Sequence, residues 1–187
     1  PDGSQTDKPG LTGATTCTQC VPGEYSATSL EACEICQDGS VTDTLDGPGA
    51  TTCTACAAGT YSAESTTECA ICPEGSETNT LDGPGASTCT LCDAGKYSAE
   101  STVACTRCDA GKYSGAGASL CSDCAEGKYS ETGATECTQC DAGTYSDTTA
   151  TVTCQTCPAG SETNTHGSPG ATTCTQCDAG KSSTEST

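Results

Sequence analysis

The chain has 187 residues, 25 of them acidic and 6 basic for a formal charge of −19, and it contains no Phe, Trp or Met. Leu, Ile and Val total twelve, far below the roughly 20% under which a chain with no other support stays disordered, so a conventional oily core is excluded. A surface this negative repels nucleic-acid phosphates and anionic lipid head groups, which removes both as partners.

Support comes from sulfur. Twenty cysteines at this density read as a disulfide scaffold, and disulfides imply an oxidising compartment, extracellular or at a cell surface. No apolar run approaches the eighteen or so residues of a membrane helix, so no membrane insertion is expected within this stretch. All twenty cysteines fall into ten C-x-x-C pairs, which start at Cys17, Cys33, Cys53, Cys69, Cys89, Cys105, Cys121, Cys137, Cys154 and Cys174. The predicted fold class is therefore small disulfide-rich repeats in an elongated tandem array, mostly irregular with short β-hairpins, without a helix bundle or a single globular core.

In chain order, residues 1–16 read as the truncated long spacer of a preceding repeat. Pro1-Asp2-Gly3-Ser4-Gln5-Thr6 parallels Pro73-Glu74-Gly75-Ser76-Glu77-Thr78, which directly follows Cys72. Residues 17–177 hold the tandem pairs, and 178–187 read as the start of another spacer. On this reading the whole chain is a window on a longer array.

Spacers come in two lengths. Those after Cys20, Cys56, Cys92, Cys108, Cys124 and Cys140 have twelve residues, or thirteen in the last case; those after Cys36, Cys72 and Cys157 have sixteen. The six tyrosines, Tyr25, Tyr61, Tyr97, Tyr113, Tyr129 and Tyr145, each stand in a short spacer two residues after a glycine. The expectation is that this glycine turns the backbone and that the ring folds over the neighbouring cystine as the main apolar body of its repeat. Long spacers carry Val41, Glu77 or Glu162 in place of the ring. They add Leu45-Asp46-Gly47-Pro48-Gly49-Ala50, its copy from Leu81 to Ala86, and the looser His166-Gly167-Ser168-Pro169-Gly170-Ala171. Pro followed by Gly predicts a type II turn, with Leu45 and Leu81 partly tucked beneath. Strands of two to four residues are expected around each Tyr-Ser and each Thr-x-Cys-Thr segment.

A regular array allows two regular pairings. In a spacer-closing ladder the second cysteine of each pair bonds the first of the next: Cys20–Cys33, Cys36–Cys53, Cys56–Cys69, Cys72–Cys89, Cys92–Cys105, Cys108–Cys121, Cys124–Cys137, Cys140–Cys154 and Cys157–Cys174, with Cys17 and Cys177 pairing outside the window. In the alternative, adjacent pairs cross-link in parallel, as Cys17–Cys33 with Cys20–Cys36. We carry the ladder forward. The spacing C-x2-C-x12-C-x2-C also suits tetrahedral zinc, but ten pairs in series with Gly-x-Tyr-Ser punctuation favour cystines. A thioredoxin-like site needs a C-x-x-C at a helix start, and no helical periodicity accompanies these pairs.

The phrase Cys17-Thr18-Gln19-Cys20-Val21-Pro22-Gly23-Glu24-Tyr25-Ser26 and its five relatives resemble the ephrin-receptor-like cysteine-rich repeat. The likeness extends more loosely to tumour-necrosis-factor-receptor and EGF-like modules. Gly49-Ala50-Thr51-Thr52-Cys53, echoed by Gly133-Ala134-Thr135-Glu136-Cys137, belongs to the same pattern. The resemblance covers essentially the whole chain. It implies small disulfide-knit modules stacked end to end outside the cell, in receptor ectodomains or in surface and flagellar-hair proteins of algae and other protists.

From these features the expected function is an extracellular structural spacer: a stapled rod in a stalk, coat or filament, whose partners are neighbouring repeats or copies of itself. The alternative is a receptor or adhesion ectodomain that binds an extracellular protein ligand. Serine and threonine number 56, so O-linked sugars on exposed turns are an added expectation. No catalytic or metal-ligating residue is assigned, because the lone His166 sits in a Gly/Pro turn and cystines are not nucleophiles. No cofactor is expected, weak multi-site calcium association at carboxylates being the one ion reading left open.

Overall fold

The structure is a computed structural model that describes residues 1–183. Among those residues there is no helix, and twenty strands of two or three residues form ten two-stranded sheets, each joining consecutive strands. The pairing is antiparallel: the Lys-Tyr or Thr-Tyr segment of a spacer pairs with the middle of the next C-x-x-C, as in Lys112↔Asp123 and Tyr113↔Ser122. In long spacers three residues pair, as in Ser40↔Ala55, Val41↔Thr54 and Thr42↔Cys53. Hairpins this short are not stable alone, so what holds them must lie between and around them.

Nine disulfides close nine loops in the spacer-closing order, from Cys20–Cys33 to Cys157–Cys174. The two cysteines of a bond differ in environment. The second cysteine of each pair is buried, with 0–5% of its surface accessible from Cys20 through Cys157, whereas the first is half-buried from Cys33 through Cys174. The rest of the buried side chains are small and mostly polar: Ala50, Ala86 and Ala171, the threonines Thr42, Thr78 and Thr163, and serines that include the one after each tyrosine, Ser26, Ser62, Ser98, Ser114, Ser130 and Ser146. A chain with so few large apolar residues thus builds its interior from sulfur, alanine, serine and threonine.

Such an interior is permitted because the serine hydroxyls find partners. Ser26 Oγ donates to the Thr28 carbonyl at 2.6 Å, Ser62 Oγ to Glu64 at 2.7 Å, and Ser114 and Ser130 Oγ to Lys96 and Lys112 at 2.9 Å. Ser76 Oγ is the exception, buried with no partner among the described residues.

The tyrosine rings do not fill this interior. Five of the six are half-buried and Tyr113 is 36% exposed, while the serine that follows each is buried. Two rings reach their cross-strand neighbours: Tyr25 Oη donates to Glu34 and Tyr145 Oη to Gln155, both at 3.2 Å. Burial of the ring would leave its hydroxyl to be matched inside; lying over the hairpin keeps the hydroxyl at the surface.

Long loops carry a second device. Asp43 Oδ1 accepts the N–H groups of Thr51 and Thr52 at 2.9 and 3.2 Å, bracketing the two sides of the loop. Asp7 does the same with Thr15 and Thr16, Asn79 with Ser87 and Thr88, and Asn164 with Thr172 and Thr173. Within the bracket the turn is as expected at its glycines, with Gly49, Gly85 and Gly170 at φ between 81° and 84°. It also holds Leu45, Leu81 and His166 in the left-handed region at φ 52°, 53° and 47°. That conformation costs an L-residue about 1–2 kcal/mol, and it is stabilised at the leucines by Thr42 and Thr78, whose hydroxyls donate to the Leu45 and Leu81 carbonyls at 3.1 and 3.0 Å. Leu45 and Leu81 are half-buried.

The chain divides into two compact units, Pro1–Thr90 with Glu100–Ala104, and Leu91–Ala99 with Cys105–Thr187. Both are built from the same loops.

Candidate functional site: the junction between loops

Within each unit, successive loops are joined by a recurring set of backbone hydrogen bonds. In the second unit, Gly117 N–H donates to the Cys92 carbonyl at 2.8 Å, Gly95 N–H to Ser114 at 2.9 Å and Ser98 N–H to Ala118 at 3.1 Å. One repeat further on, Gly133 donates to Cys108 at 2.7 Å, Gly111 to Ser130 at 2.9 Å and Ser114 to Ala134 at 3.2 Å. The first unit repeats the theme, with Gly49 donating to Cys20, Ser26 to Ala50 and Gly39 to Ser62. Tyr97↔Ala118, Tyr113↔Ala134 and Tyr129↔Thr151 add single parallel bridges at the same seam. The tyrosine position therefore works through its backbone as well as its ring.

At several hairpins the opening glycine fixes how closely loops approach. Gly111 has φ 86°, and a Cβ there would fall inside hard-sphere contact of the Ala150 carbonyl. Gly111 belongs to the loop closed by Cys108–Cys121 and Ala150 to the one closed by Cys140–Cys154, so the contact reaches past the intervening loop. Gly95 stands in the same relation to Gly133, Gly127 to Gly170, and in the first unit Gly3 to Gly49 and Gly39 to Gly85. Within each unit these glycines bring a loop into contact with the one two places on. Only a residue without Cβ allows both the backbone angle and the approach.

Electrostatics at this seam are local. Lys112 Nζ lies 2.6 Å from Asp123, its directly opposite partner in the hairpin, and this carboxylate holds the ammonium above the usual lysine range. Lys96 pairs with Asp93 at 3.0 Å. In the long loops, the hydroxyl of Thr51 and then the Thr51 and Thr52 N–H groups hold Asp43 below the ordinary carboxylate range; Asp7 is held low by Thr16 and Thr15 in the same way.

The residues singled out in the sequence take these places. Eighteen cysteines are in the nine loop-closing bonds, while Cys17 is exposed, Cys177 is half-buried, and neither is bonded to another cysteine of the chain. The sulfurs that zinc would need at successive pairs are joined as cystines. His166 is exposed at a turn, with Nδ1 3.6 Å from Glu162. The bracket itself was missed by the sequence reading, although a signal existed: Asp7, Asp43, Asn79 and Asn164 each follow a threonine, and each precedes a Thr-Thr-Cys or Ser-Thr-Cys phrase at one fixed distance.

Residues 127–177 match the family model described as tyrosine-protein kinase ephrin type A/B receptor-like. No curated protein matches the chain. The matched stretch contains the loops closed by Cys140–Cys154 and Cys157–Cys174 and most of the one before them. A module knitted by cystines at this density fits an extracellular location. No helix among the described residues is long and apolar enough to cross a membrane. Residues 127–177 are thus similar to the ephrin-receptor-like cysteine-rich family, and they lie within a run of disulfide-bonded repeats that extends from Cys20 to Cys174.

Proposed function

We propose that this chain is an extracellular structural spacer, a disulfide-stapled rod that forms part of a stalk, surface coat or filament. The observation that carries the reading is the recurring hydrogen-bond set at successive loop junctions, shown by Gly117 to Cys92 and Gly133 to Cys108. Nearest-neighbour stacking of one unit in a fixed relation produces a quasi-one-dimensional body. Covalent closure of each loop keeps such a body intact without a large apolar core. In this reading the chain has no catalytic role and no resident cofactor, its carboxylates serve to keep a long molecule soluble, and exposed Ser and Thr on the turns carry O-linked sugars.

A second reading, the ectodomain of a receptor or adhesion protein, draws on the receptor-like description of the family matched by residues 127–177. Small-angle scattering of the intact chain tests the first reading. A rod requires a maximum dimension several times its cross-section, with collapse of that profile on reduction. A compact sphere would reject the spacer, and a soluble protein ligand that saturates one site per chain would favour the receptor.

A further inference from the structure

The six basic residues are not spread evenly. Lys96, Arg107, Lys112 and Lys128 fall within residues 96–128, where only Glu100, Asp109, Asp123 and Glu126 oppose them, so the whole formal charge of −19 lies outside that stretch. At its end, in the second unit, is a cleft of 260 Å³ lined by Tyr113, Asp123, Ala125, Lys128, Glu136 and Cys137. Tyr113 belongs to the loop closed by Cys108–Cys121, and Lys128 and Glu136 to the one closed by Cys124–Cys137, so the cleft lies between successive loops. Tyr113 is the most exposed of the six tyrosines, at 36%. Asp123 is taken by Lys112 at 2.6 Å. Lys128 and Glu136 share the cleft without pairing with each other, and neither is in an ion pair among the described residues. They leave a donor and an acceptor for a guest.

Charge narrows the class of guest. With Lys112 counted, two ammoniums balance two carboxylates at the cleft. An anion is repelled by the rest of the chain and a cation is attracted to all of it, so neither needs a balanced cleft. A neutral guest does. It must lay an apolar face on the tyrosine, accept a hydrogen bond from an ammonium and donate one to a carboxylate. A sugar ring meets all three demands, with C–H groups on its face and hydroxyls at its edge. The volume is just under the roughly 300 Å³ at which sites for drug-sized molecules begin, which is room for one ring. Tyrosine recurs on either side: Tyr97 and Tyr129 hold the same position in the loops before and after. Gly95 to Ser114, Gly111 to Ser130 and Gly127 to Ser146, each at 2.9 Å, join the successive hairpins. The charged pair does not recur, since Lys112 and Leu120 replace Lys128 and Glu136 one loop earlier, and Thr144 and Thr153 replace them one loop later. One polar cleft flanked by further rings suits a linear polymer anchored at one of its residues.

We propose that the Tyr113 cleft binds one residue of a neutral extracellular polysaccharide, with Tyr97 and Tyr129 as weaker contacts for the residues on either side. The inference rests on the surface-coat form of the reading above and names the material that such a coat would hold. The tyrosine ring stacks on the sugar face, Lys128 donates to a ring or hydroxyl oxygen, and Glu136 accepts from a hydroxyl.

The test is titration of the intact, oxidised chain with cellohexaose, laminarihexaose and mannohexaose to about 10 mM, a range that captures weak single-ring sites, followed by amide NMR shifts. At least one of the three should saturate the chain, with shifts centred on Tyr113, Lys128 and Glu136. It should bind about tenfold more tightly than its own disaccharide, because flanking rings add contacts on one strand. Tyr113→Ala should weaken binding about tenfold or more, whereas Tyr113→Phe, which keeps the stacking face, should stay within about threefold of wild type. Lys128→Ala and Glu136→Gln should each weaken binding about threefold or more. Unchanged amide protection in the free variants separates these losses from misfolding. Failure of all three hexaoses to bind overturns the proposal. So do shifts centred elsewhere, equal affinity for the disaccharide, wild-type affinity in Tyr113→Ala, or a cleft that saturates with glycine or alginate and with no neutral sugar. A chain that is rod-like in scattering and binds none of the three loses this site and keeps the spacer reading, whereas a compact sphere that binds one of them loses the spacer and keeps the site.

Discussion

Replacing Gly111 by alanine separates the two demands that the loop junction makes on a glycine. At φ 86° an alanine costs about 1–2 kcal/mol for its left-handed backbone. Its Cβ would also collide with the Ala150 carbonyl of the loop two places on, and crowding a packed position adds about 1–3 kcal/mol. Gly111 further joins two hydrogen bonds of 2.9 Å, donating to Ser130 and accepting from Cys124, which a backbone shift would loosen. The expected cost is therefore about 2–5 kcal/mol. Two other glycines calibrate it. Gly160 has φ 78° with nothing within 4 Å of its Cβ position, and Gly115 has open space there without a left-handed φ. Gly160→Ala should cost only the backbone component, about 1–2 kcal/mol, and Gly115→Ala should stay within about 0.5 kcal/mol of wild type. Amide hydrogen exchange is the suitable assay, because a disulfide-closed array opens loop by loop rather than in one step. Loss of protection in Gly111→Ala should spread to Ser130 and to residues around Ala150, some forty positions away in sequence. If Gly111→Ala and Gly160→Ala cost the same, and Ala150 is undisturbed, the contact between alternate loops does no energetic work and the argument fails.

Three further outcomes follow from named groups. Asp43 and Asp7 have carboxyls held low by hydrogen bonds in the folded chain, so their contribution is complete above the unfolded carboxylate range near pH 4 and is lost as pH falls through the lower folded value. Protection at Thr51 and Thr52 should fall as pH drops below the unfolded carboxylate range near 4 while Ser87 and Thr88, held by Asn79, do not respond; equal loss in both loops would contradict the bracket, and Asp43→Asn should remove the pH response. Ser130→Ala, which deletes the 2.9 Å bond to Lys112, should cost about 1 kcal/mol, as much as or more than removing the hydroxyl of the 36%-exposed Tyr113 by substitution with Phe; hydrogen exchange in the affected loops compares them, and the reverse order would mean that the tyrosine hydroxyl contributes more than the buried serine's hydrogen bond. Removing one staple by Cys108→Ser with Cys121→Ser should destabilise its loop by about 3 kcal/mol, read as exchange confined to residues between those positions and their neighbours, and a change of less than about 0.5 kcal/mol would mean the bond is not what closes the loop.

Cysteine spacing made the repeats and their hairpins legible, because a strict C-x-x-C period leaves few regular arrangements open. Glycine before each tyrosine pointed to a tight turn, and Gly49 and Gly85 after proline pointed to positive φ; the structure has both. What the sequence hid was where atoms meet across loops. A reading in terms of neighbouring repeats gives no reason for Gly111 to face Ala150, since the distance between them follows from the stacking angle and not from any local pattern. The tyrosines suggested a packed ring because no other aromatic was present, yet the hydroxyl keeps Tyr25 and Tyr145 at the surface with Glu34 and Gln155. Burial then falls to the adjacent serine, a residue that composition alone assigns to solvent. Leu45 and Leu81 in the left-handed region were equally hidden, because their angle depends on the Thr42 and Thr78 hydroxyls.

Everything depends on which sulfurs are joined. Peptide mapping of the intact chain, digested without reduction and with free thiols blocked first, measures this directly. The account predicts nine linked pairs, each joining the second cysteine of one C-x-x-C to the first of the next, from Cys20–Cys33 to Cys157–Cys174. Recovery of Cys20–Cys36 and its parallel counterparts, or of blocked thiols at most of the ten pairs, would contradict it.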